Sequence, residues 1–209
     1  MWTRISQSWQ ICLEEAWAAY CAGAFPIGAV IANDNDEILA RGRNQIRDNG
    51  SGTGIVRNHE LAHAELNALL SFDSNKKDTT CALYALLEPC PLCFSAFYMS
   101  GIRHLHVAAR DPLAGSTNLL NTTPYLKRKS IHVHLPNDNA LETLIIALNI
   151  EYILRAYKNP GKMLKHWRDT LPRGVELGER LSHSGQLYSM SKEGFSVGGM
   201  VEELGKMIN

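Results

Sequence analysis

Two short segments of the sequence carry residue types that bind zinc. His63 and Glu65 lie two residues apart, and Cys90 and Cys93 follow 27 and 30 residues after His63. One imidazole and two thiolates make three protein ligands, which leave the fourth position of a tetrahedral zinc ion open to water. A structural zinc site is the alternative, but it normally has four protein ligands, whereas the two motifs supply three. The pattern therefore favours a catalytic site.

The residues around these ligands support the same chemistry. Cys90 and Cys93 are predicted to lie in the first turn of a helix that begins at Pro91, so both sulfurs project from one face and the free amides favour thiolates. Zinc can lower the pKa of bound water from about 15.7 towards 7, and the nearby carboxyl group of Glu65 can accept the released proton. It can then return the proton to a ring nitrogen or a departing amine. This combination suits hydrolysis at an electron-poor carbon that bears an amino group, with release of ammonia.

The elements that must position these residues alternate along the chain. Apolar periodicity and turn signals predict helices over residues 5–22, 59–71, 91–99, 116–128 and 140–157, and strands over residues 27–32, 37–41, 81–87, 104–109 and 131–135. The first two strands are predicted to form a hairpin around the Asn-Asp-Asn-Asp turn at residues 33–36. Strands that alternate with helices predict an α/β fold in which a central sheet is covered on both faces.

Length and composition indicate one folded domain with an appendage. The chain has 209 residues, of which 45% are hydrophobic, and this argues against disordered, collagenous and coiled-coil classes. The periodicity weakens after residue 157, so we predict a zinc domain over residues 1–157 and a C-terminal extension of unknown role over residues 158–209. A glycine-rich loop over residues 48–58 is expected to border a pocket.

The charge balance and the N-terminal sequence bear on nucleic-acid binding and on cellular location. Lysine plus arginine and aspartate plus glutamate each number 21, so bulk charge gives no support for generic nucleic-acid binding. Glu14 and Glu15 interrupt any signal peptide, and glycine and proline break the uncharged stretch 16–33. We therefore expect a cytoplasmic protein without a membrane span.

The motifs together resemble a known family. His63-x-Glu65 with Pro89-Cys90-x-x-Cys93 is similar to the signature of the zinc-dependent cytidine and deoxycytidylate deaminase-like superfamily. The segments 25–30 (Phe-Pro-Ile-Gly-Ala-Val), 43–44 (Arg-Asn), 63–68 (His-Ala-Glu-Leu-Asn-Ala) and 87–90 (Leu-Glu-Pro-Cys) resemble its purine-acting branch, which includes guanine deaminases and tRNA adenosine deaminases. The resemblance covers residues 5 to 157.

The resemblance implies a fold and a set of site residues. It implies a three-layer α-β-α fold with a central mixed sheet of about five strands, and association into a homodimer. His63, Cys90 and Cys93 would be the zinc ligands, and Glu65 would be the catalytic proton shuttle. The expected substrate contacts are the side chain of Asn44, which would hydrogen-bond the base, the backbone amide of Ala64, and Phe25 as a pocket wall.

Three functions remain open from the sequence. The first is a zinc-dependent hydrolase that deaminates a free nucleobase, nucleoside or related small amino-heterocycle, with guanine as the best guess. The second is a tRNA adenosine deaminase, for which the stretch 155–173 is the supporting feature because it holds six lysines and arginines and one acidic residue. The third is an inactive, zinc-stabilised binding module, against which the intact Glu65 argues.

The remaining metal-ligating residue types are given structural roles. His104, His106, His132 and His134 alternate in strand-like runs and are expected to be strand residues that lie at the surface or support other groups, and not a second metal site. The other cysteines are expected to be small buried apolar residues, and they are Cys12, Cys21 and Cys81.

Overall fold

A five-stranded sheet forms the centre of the computed structural model, which describes residues 1–48 and 55–208. Its strands are β1 (Gly28–Ala32), β2 (Ile38–Arg43), β3 (Ala82–Leu87), β4 (His104–Ala109) and β5 (His132–His134), in the spatial order β2-β1-β3-β4-β5. β1 is antiparallel to both β2 and β3, whereas β3, β4 and β5 run parallel. The predicted mixed sheet of five strands is therefore confirmed.

Helices cover both faces of this sheet. They are α1 (Gln7–Cys21), α2 (Ala64–Ser71), α3 (Pro91–Ser100), α4 (Asn139–Ala156), α5 (Gly161–Thr170), α6 (Pro172–Ser184), α7 (Gln186–Lys192) and α8 (Val197–Ile208). Side chains alternate across a strand, so Leu83 and Ala85 of β3 pack with α2 and α3, whereas Leu86 packs with α1 and α4. This arrangement is the three-layer α-β-α fold. None of the helices in the described ranges is long and apolar enough to span a bilayer.

Strand directions bring the key segments to one edge of the sheet. β3 and β4 are parallel, so the segments that follow Leu87 and Ala109 emerge at the same edge. β1 runs the opposite way, and the pairs Ala29–Ala85 and Gly28–Arg43 place the start of β1 and the end of β2 there too. Residues before β1, after β2, after β3 and after β4 therefore meet at this edge.

Two predicted helices differ from the structure. The helix expected over 59–71 begins only at Ala64, because His63 is extended (φ −76°, ψ 152°) and residues 59–62 form a turn. The helix expected over 116–128 is reduced to the short 3-10 turn Thr117–Leu119, followed by further turns. Hydroxyl groups there take local backbone partners, as Thr122 does with the carbonyl of Leu119, and Pro124 cannot continue a helical hydrogen-bond ladder.

The C-terminal extension folds into α5 to α8 and packs on α4. Two glycines of α6 allow the close approach, since a Cβ atom on Gly174 would lie 2.5 Å from the Ile146 side chain and one on Gly178 would lie 2.8 Å from the Ala147 carbonyl oxygen. Leucines of the extension join the main hydrophobic core. The boundary between residues 157 and 158 stays a prediction.

Candidate active site

His63, Cys90 and Cys93 come together at the edge of the sheet where β3 and β4 end. Their ligand atoms all lie within 4.8 Å of one another, and His63 Nδ1 is 3.6 Å from Cys90 Sγ and 3.4 Å from Cys93 Sγ. A tetrahedral zinc ion about 2.0 Å from a nitrogen and about 2.3 Å from a sulfur would hold the two ligand atoms about 3.6 Å apart. The spacing and the chemistry of this donor set therefore fit zinc.

The start of α3 positions the two sulfurs. Cys90 is the N-cap residue of α3, Pro91 occupies its first turn, and the Phe94 amide donates a hydrogen bond of 2.8 Å to the Cys90 carbonyl. Hydrogen bonds from Cys93 and then from His63, opposed by burial, lower the pKa of Cys90 to about 4. The same hydrogen bond to Cys90, together with burial, raises the pKa of Cys93.

Glu65 lies in the first turn of α2 beside this cluster. Only 4% of the residue is exposed, and burial raises the pKa of its carboxyl group. The hydrogen bond to Cys90 raises the pKa of His63. A buried carboxyl group with a raised pKa is suited to general acid–base catalysis.

His63, Glu65 and Cys90 line a cavity of about 210 Å³, and the rest of its lining comes from the segments 25–27, 44–46, 87–88 and 111–114 and from α4 and α5. Phe25 and Asn44 form part of its lining, and the Phe25 ring packs 4.5 Å from the Tyr152 ring. Ala64 is fully buried, and the lining includes its neighbours His63 and Glu65 instead. The structure thus brings Phe25, Asn44 and Glu65 to one cavity.

The amide of Asn44 is oriented by its surroundings. Its backbone N–H donates to the Ile27 carbonyl at 3.0 Å, and its side-chain Oδ1 accepts from the Ile46 amide at 3.2 Å. This Asx-type turn occupies the side-chain oxygen. The Nδ2 group is therefore the atom of Asn44 that is left to donate to a ligand.

Glu88 and Asp111 are cavity residues to which the sequence analysis assigned no role. The Glu88 carboxylate accepts from the backbone amides of Asp111 at 3.3 Å and Thr117 at 3.2 Å, and Asp111 accepts from the Leu113 and Ala114 amides. These bonds fold the loop after β4 against the cavity, and burial raises the pKa of Asp111. The signal that identifies both residues is their place after the carboxyl ends of parallel strands.

The other wall comes from α4 and the extension. Asn149 and Ile153 of α4, with Met163 and Trp167 of α5, line the cavity. No motif in residues 158–209 pointed to this contribution. The loop expected over 48–58 to border the pocket falls largely at residues 49–54, outside the described residues.

Four other histidines form a ladder on the sheet. The His106 ring stacks 4.2 Å from His134, and His104 stacks 4.9 Å from His132, with both β5 residues exposed. Within residues 1–48 and 55–208, the His63 cluster is the group whose spacing could hold a metal ion. Cys12 and Cys81 are buried as expected, but Cys21 is exposed because it is the last residue of α1.

Sequence comparisons with known proteins show which families the chain is similar to. The cytidine and deoxycytidylate deaminase zinc-binding region matches residues 3–109. The chain is 34% identical over 107 residues to a tRNA-specific adenosine deaminase of Haemophilus influenzae, covering 50% of this chain and 57% of that protein. It is 26% identical over 113 residues to a cytosine deaminase of Candida albicans, covering 53% of this chain and 70% of that protein.

A solved structure shows a similar fold. The structure of guanine deaminase from Nitrosomonas europaea superposes with a TM-score of 0.50 and 25% identity, and the match covers 68% of this chain and 80% of that one. The family match spans half of the sequence and includes His63, Glu65, Cys90 and Cys93. This chain therefore belongs to the zinc-dependent cytidine and deoxycytidylate deaminase family.

Proposed function

We propose that this protein is a zinc-dependent hydrolase that removes the amino group of a free nucleobase, nucleoside or related amino-heterocycle, with guanine as our first choice. The observation that carries the proposal is that three zinc-type ligands and a buried carboxyl group lie together beside one cavity, which is lined by His63, Glu65 and Cys90. Its volume of about 210 Å³ is below the range of about 300–1,000 Å³ of drug-sized ligand sites, which suits a bare ring.

His63, Cys90 and Cys93 are the proposed zinc ligands. When bound there, zinc supplies a Lewis acid that lowers the pKa of water. Glu65 takes a proton from the attacking water and delivers it to a ring nitrogen, and a second transfer makes the amino group a leaving group. A carbon–oxygen bond forms and the carbon–nitrogen bond breaks; of the two protons of the water, one ends on the ring nitrogen and one leaves with the amino group as ammonia.

Asn44, Ala64 and Phe25 are the proposed substrate contacts. The Asn44 Nδ2 group donates to a ring acceptor, and the Phe25 ring forms an apolar wall beside the heterocycle. We assign the backbone amide of Ala64 to a ring substituent, because Ala64 precedes Glu65 at the N-terminus of α2, where amides are free of helical partners.

The second candidate function is deamination of adenosine in tRNA. It is supported by the similarity to the Haemophilus influenzae enzyme and by exposed lysines at 158, 162 and 165. The other three basic residues of the stretch have internal partners, since Arg155 pairs with Glu151, Arg168 pairs with Glu179, and Arg173 donates to the Ile208 carbonyl. These contacts weaken the stretch as an RNA-binding surface, so we favour the small substrate.

An ammonia-release screen tests the proposal. The zinc-loaded protein is assayed with guanine, adenine, cytosine, their nucleosides, pterins and a tRNA that contains a target adenosine. We expect turnover of a base or nucleoside and loss of that turnover in Glu65→Gln. Turnover of tRNA alone would establish the second candidate, and a protein that binds zinc but releases no ammonia from any compound would be an inactive binding module.

We also infer that the protein is a homodimer, by analogy with the family. Light scattering coupled to size-exclusion chromatography of the full chain should give about twice the chain mass of 23.2 kDa. A mass equal to one chain would contradict this inference.

A further inference from the structure

Two polar atoms among the residues that line the cavity have no hydrogen-bond partner. They are Asn149 Oδ1 and Trp167 Nε1, and their residues are 1% and 3% exposed. A buried polar group without a partner costs about 1–3 kcal/mol, so native proteins contain few of them. Three such side-chain atoms occur in the described part of the chain, and two of the three are on residues that line this one cavity. Their concentration there indicates that a ligand supplies the missing partners.

The two atoms have opposite and fixed hydrogen-bonding characters. The indole N–H of Trp167 can only donate. The amide of Asn149 cannot turn over freely, because its Nδ2 group donates to the Ile145 carbonyl at 2.8 Å and a carbonyl can only accept. Asn149 therefore presents an acceptor and Trp167 presents a donor.

We propose that Asn149 and Trp167 form a substrate-reading pair that selects a free base over its nucleoside or an RNA. This inference rests on the proposed function and deepens it. The pair requires a ligand edge that carries an N–H group and a nearby acceptor. It lies on α4 and α5, whereas the zinc ligands and Glu65 lie at the starts of α2 and α3, so it reads the part of the ring away from the reacting amino group.

The required edge exists in free bases and is lost on glycosylation. In a free purine, the nitrogen that bears the sugar in a nucleoside carries a hydrogen and stands beside a ring-nitrogen acceptor. In free cytosine, the corresponding N–H stands beside a carbonyl oxygen. A sugar replaces this hydrogen and adds bulk, which leaves the Asn149 oxygen without its donor. A site built to hydrogen-bond a substrate group rejects analogues that lack it.

The chain offers a matched control. Trp17 is also buried, but its indole N–H donates to the Phe195 carbonyl at 2.8 Å and it does not line the cavity. Trp167→Phe and Trp17→Phe therefore make the same chemical change, one at an unpartnered donor and one at a satisfied donor. Asn149→Leu removes the acceptor with little change in volume.

The experiment measures kcat/KM for each base and its nucleoside, and Tm, in the wild type and the three variants. We expect the wild type to prefer the free base, and Trp167→Phe and Asn149→Leu each to lower kcat/KM for that base by about 5- to 150-fold, the loss of one hydrogen bond. Trp17→Phe should lower Tm and leave kcat/KM unchanged. Trp167→Phe also shortens a buried ring, so it should lower Tm too, but by less than Trp17→Phe, because the donor that it removes is unsatisfied without ligand.

Distinct results separate failure of this inference from failure of the proposed function. An active wild type that prefers nucleosides, or variants that lower Tm but keep wild-type kcat/KM for the free base, would overturn the substrate-reading role. If the wild type releases no ammonia from any base, the proposed function fails, and calorimetric titration of the zinc-loaded protein with guanine, adenine and cytosine decides the inference. A bound base with equal Kd in the wild type and Trp167→Phe, or no binding of any base, would overturn it.

Discussion

Gly42 lies in β2 and does not line the cavity, yet its close contact with α2 sets the position of the helix that carries Glu65. A Cβ atom at this position would lie 2.4 Å from the Ala64 carbonyl oxygen, 2.4 Å from the Ala68 amide nitrogen and 2.9 Å from the Asn67 carbonyl carbon. All three atoms belong to the backbone of α2, so no side chain can turn away to make room. Gly42→Ala must therefore separate α2 from β2.

The size of the displacement follows from these distances. Ordinary contacts of a Cβ atom begin at 3.4 Å, so α2 has to retreat by about 1 Å from its present 2.4 Å. Overpacking of this kind costs about 1–3 kcal/mol. Alanine also lowers the conformational entropy of the unfolded chain, which stabilises the folded protein by about 0.4–1 kcal/mol. We expect a net loss of about 1–2 kcal/mol, which lowers Tm by about 2–8 °C for a domain of this size.

Gly42→Ala should lower kcat/KM by more, in free-energy terms, than it lowers the free energy of unfolding. Glu65 stands in the first turn of α2 and His63 precedes it, so both move with the helix. A misplacement of about 1 Å can cost about 100-fold in rate. We therefore expect kcat/KM for ammonia release to fall about 100-fold while the protein stays folded at 25 °C, as measured by circular dichroism alongside the kinetic assay.

Gly161→Ala is the control, because a Cβ atom at Gly161 has no neighbour within 4 Å. This variant should keep the wild-type Tm within a few degrees and the wild-type kcat/KM. If Gly42→Ala kept wild-type Tm and activity as well, the close contact of α2 with β2 would not be what positions Glu65, and the reasoning would be refuted.

Three further substitutions test the site and one supporting contact. Glu65→Gln should retain zinc, by elemental analysis, and lose about 100-fold or more of kcat because only the proton transfer is removed; parental activity would contradict the assigned role. Cys90→Ala should lower zinc content and Tm together, since metal binding is coupled to folding; unchanged metal content would exclude Cys90 as a ligand. Burial opposes ionisation of Glu142, but its hydrogen bonds from Arg110 prevail and lower its pKa. The stabilisation is therefore present above the unfolded pKa of about 4.3 and is lost as pH falls through the folded value. Glu142→Gln should destabilise the protein by about 1 kcal/mol at pH 7, and urea titrations should show the difference shrink as the pH falls below about 4.3 and through the lower folded pKa of Glu142; a difference that persists unchanged in acid would exclude the ionic contribution.

Much of the fold was predictable because its signals are local. The strands around 82–87 and 104–109 and the helix after Cys90 agree with the sequence predictions within one residue at each end. Each is marked by a short apolar run or by a proline that suits a first helical turn. The helix over 116–128 was wrong, because the Ser116 and Thr117 amides donate to the Pro89 carbonyl and to Glu88, in a segment that only the folded sheet brings close.

The sequence by itself determined the zinc-type cluster, its accompanying carboxyl group and the alternating elements that bear them, since His63, Glu65, Cys90 and Cys93 sit at helix starts that local spacing reveals. Only the tertiary structure decided what faces them across the cavity. Trp167 lines the cavity because the chain folds α5 back towards α4. The side-chain oxygen of Asn149 is left without a hydrogen-bond partner only because the folded core excludes water from it. Such contacts join residues far apart in the chain, and neither periodicity nor spacing carries information about them.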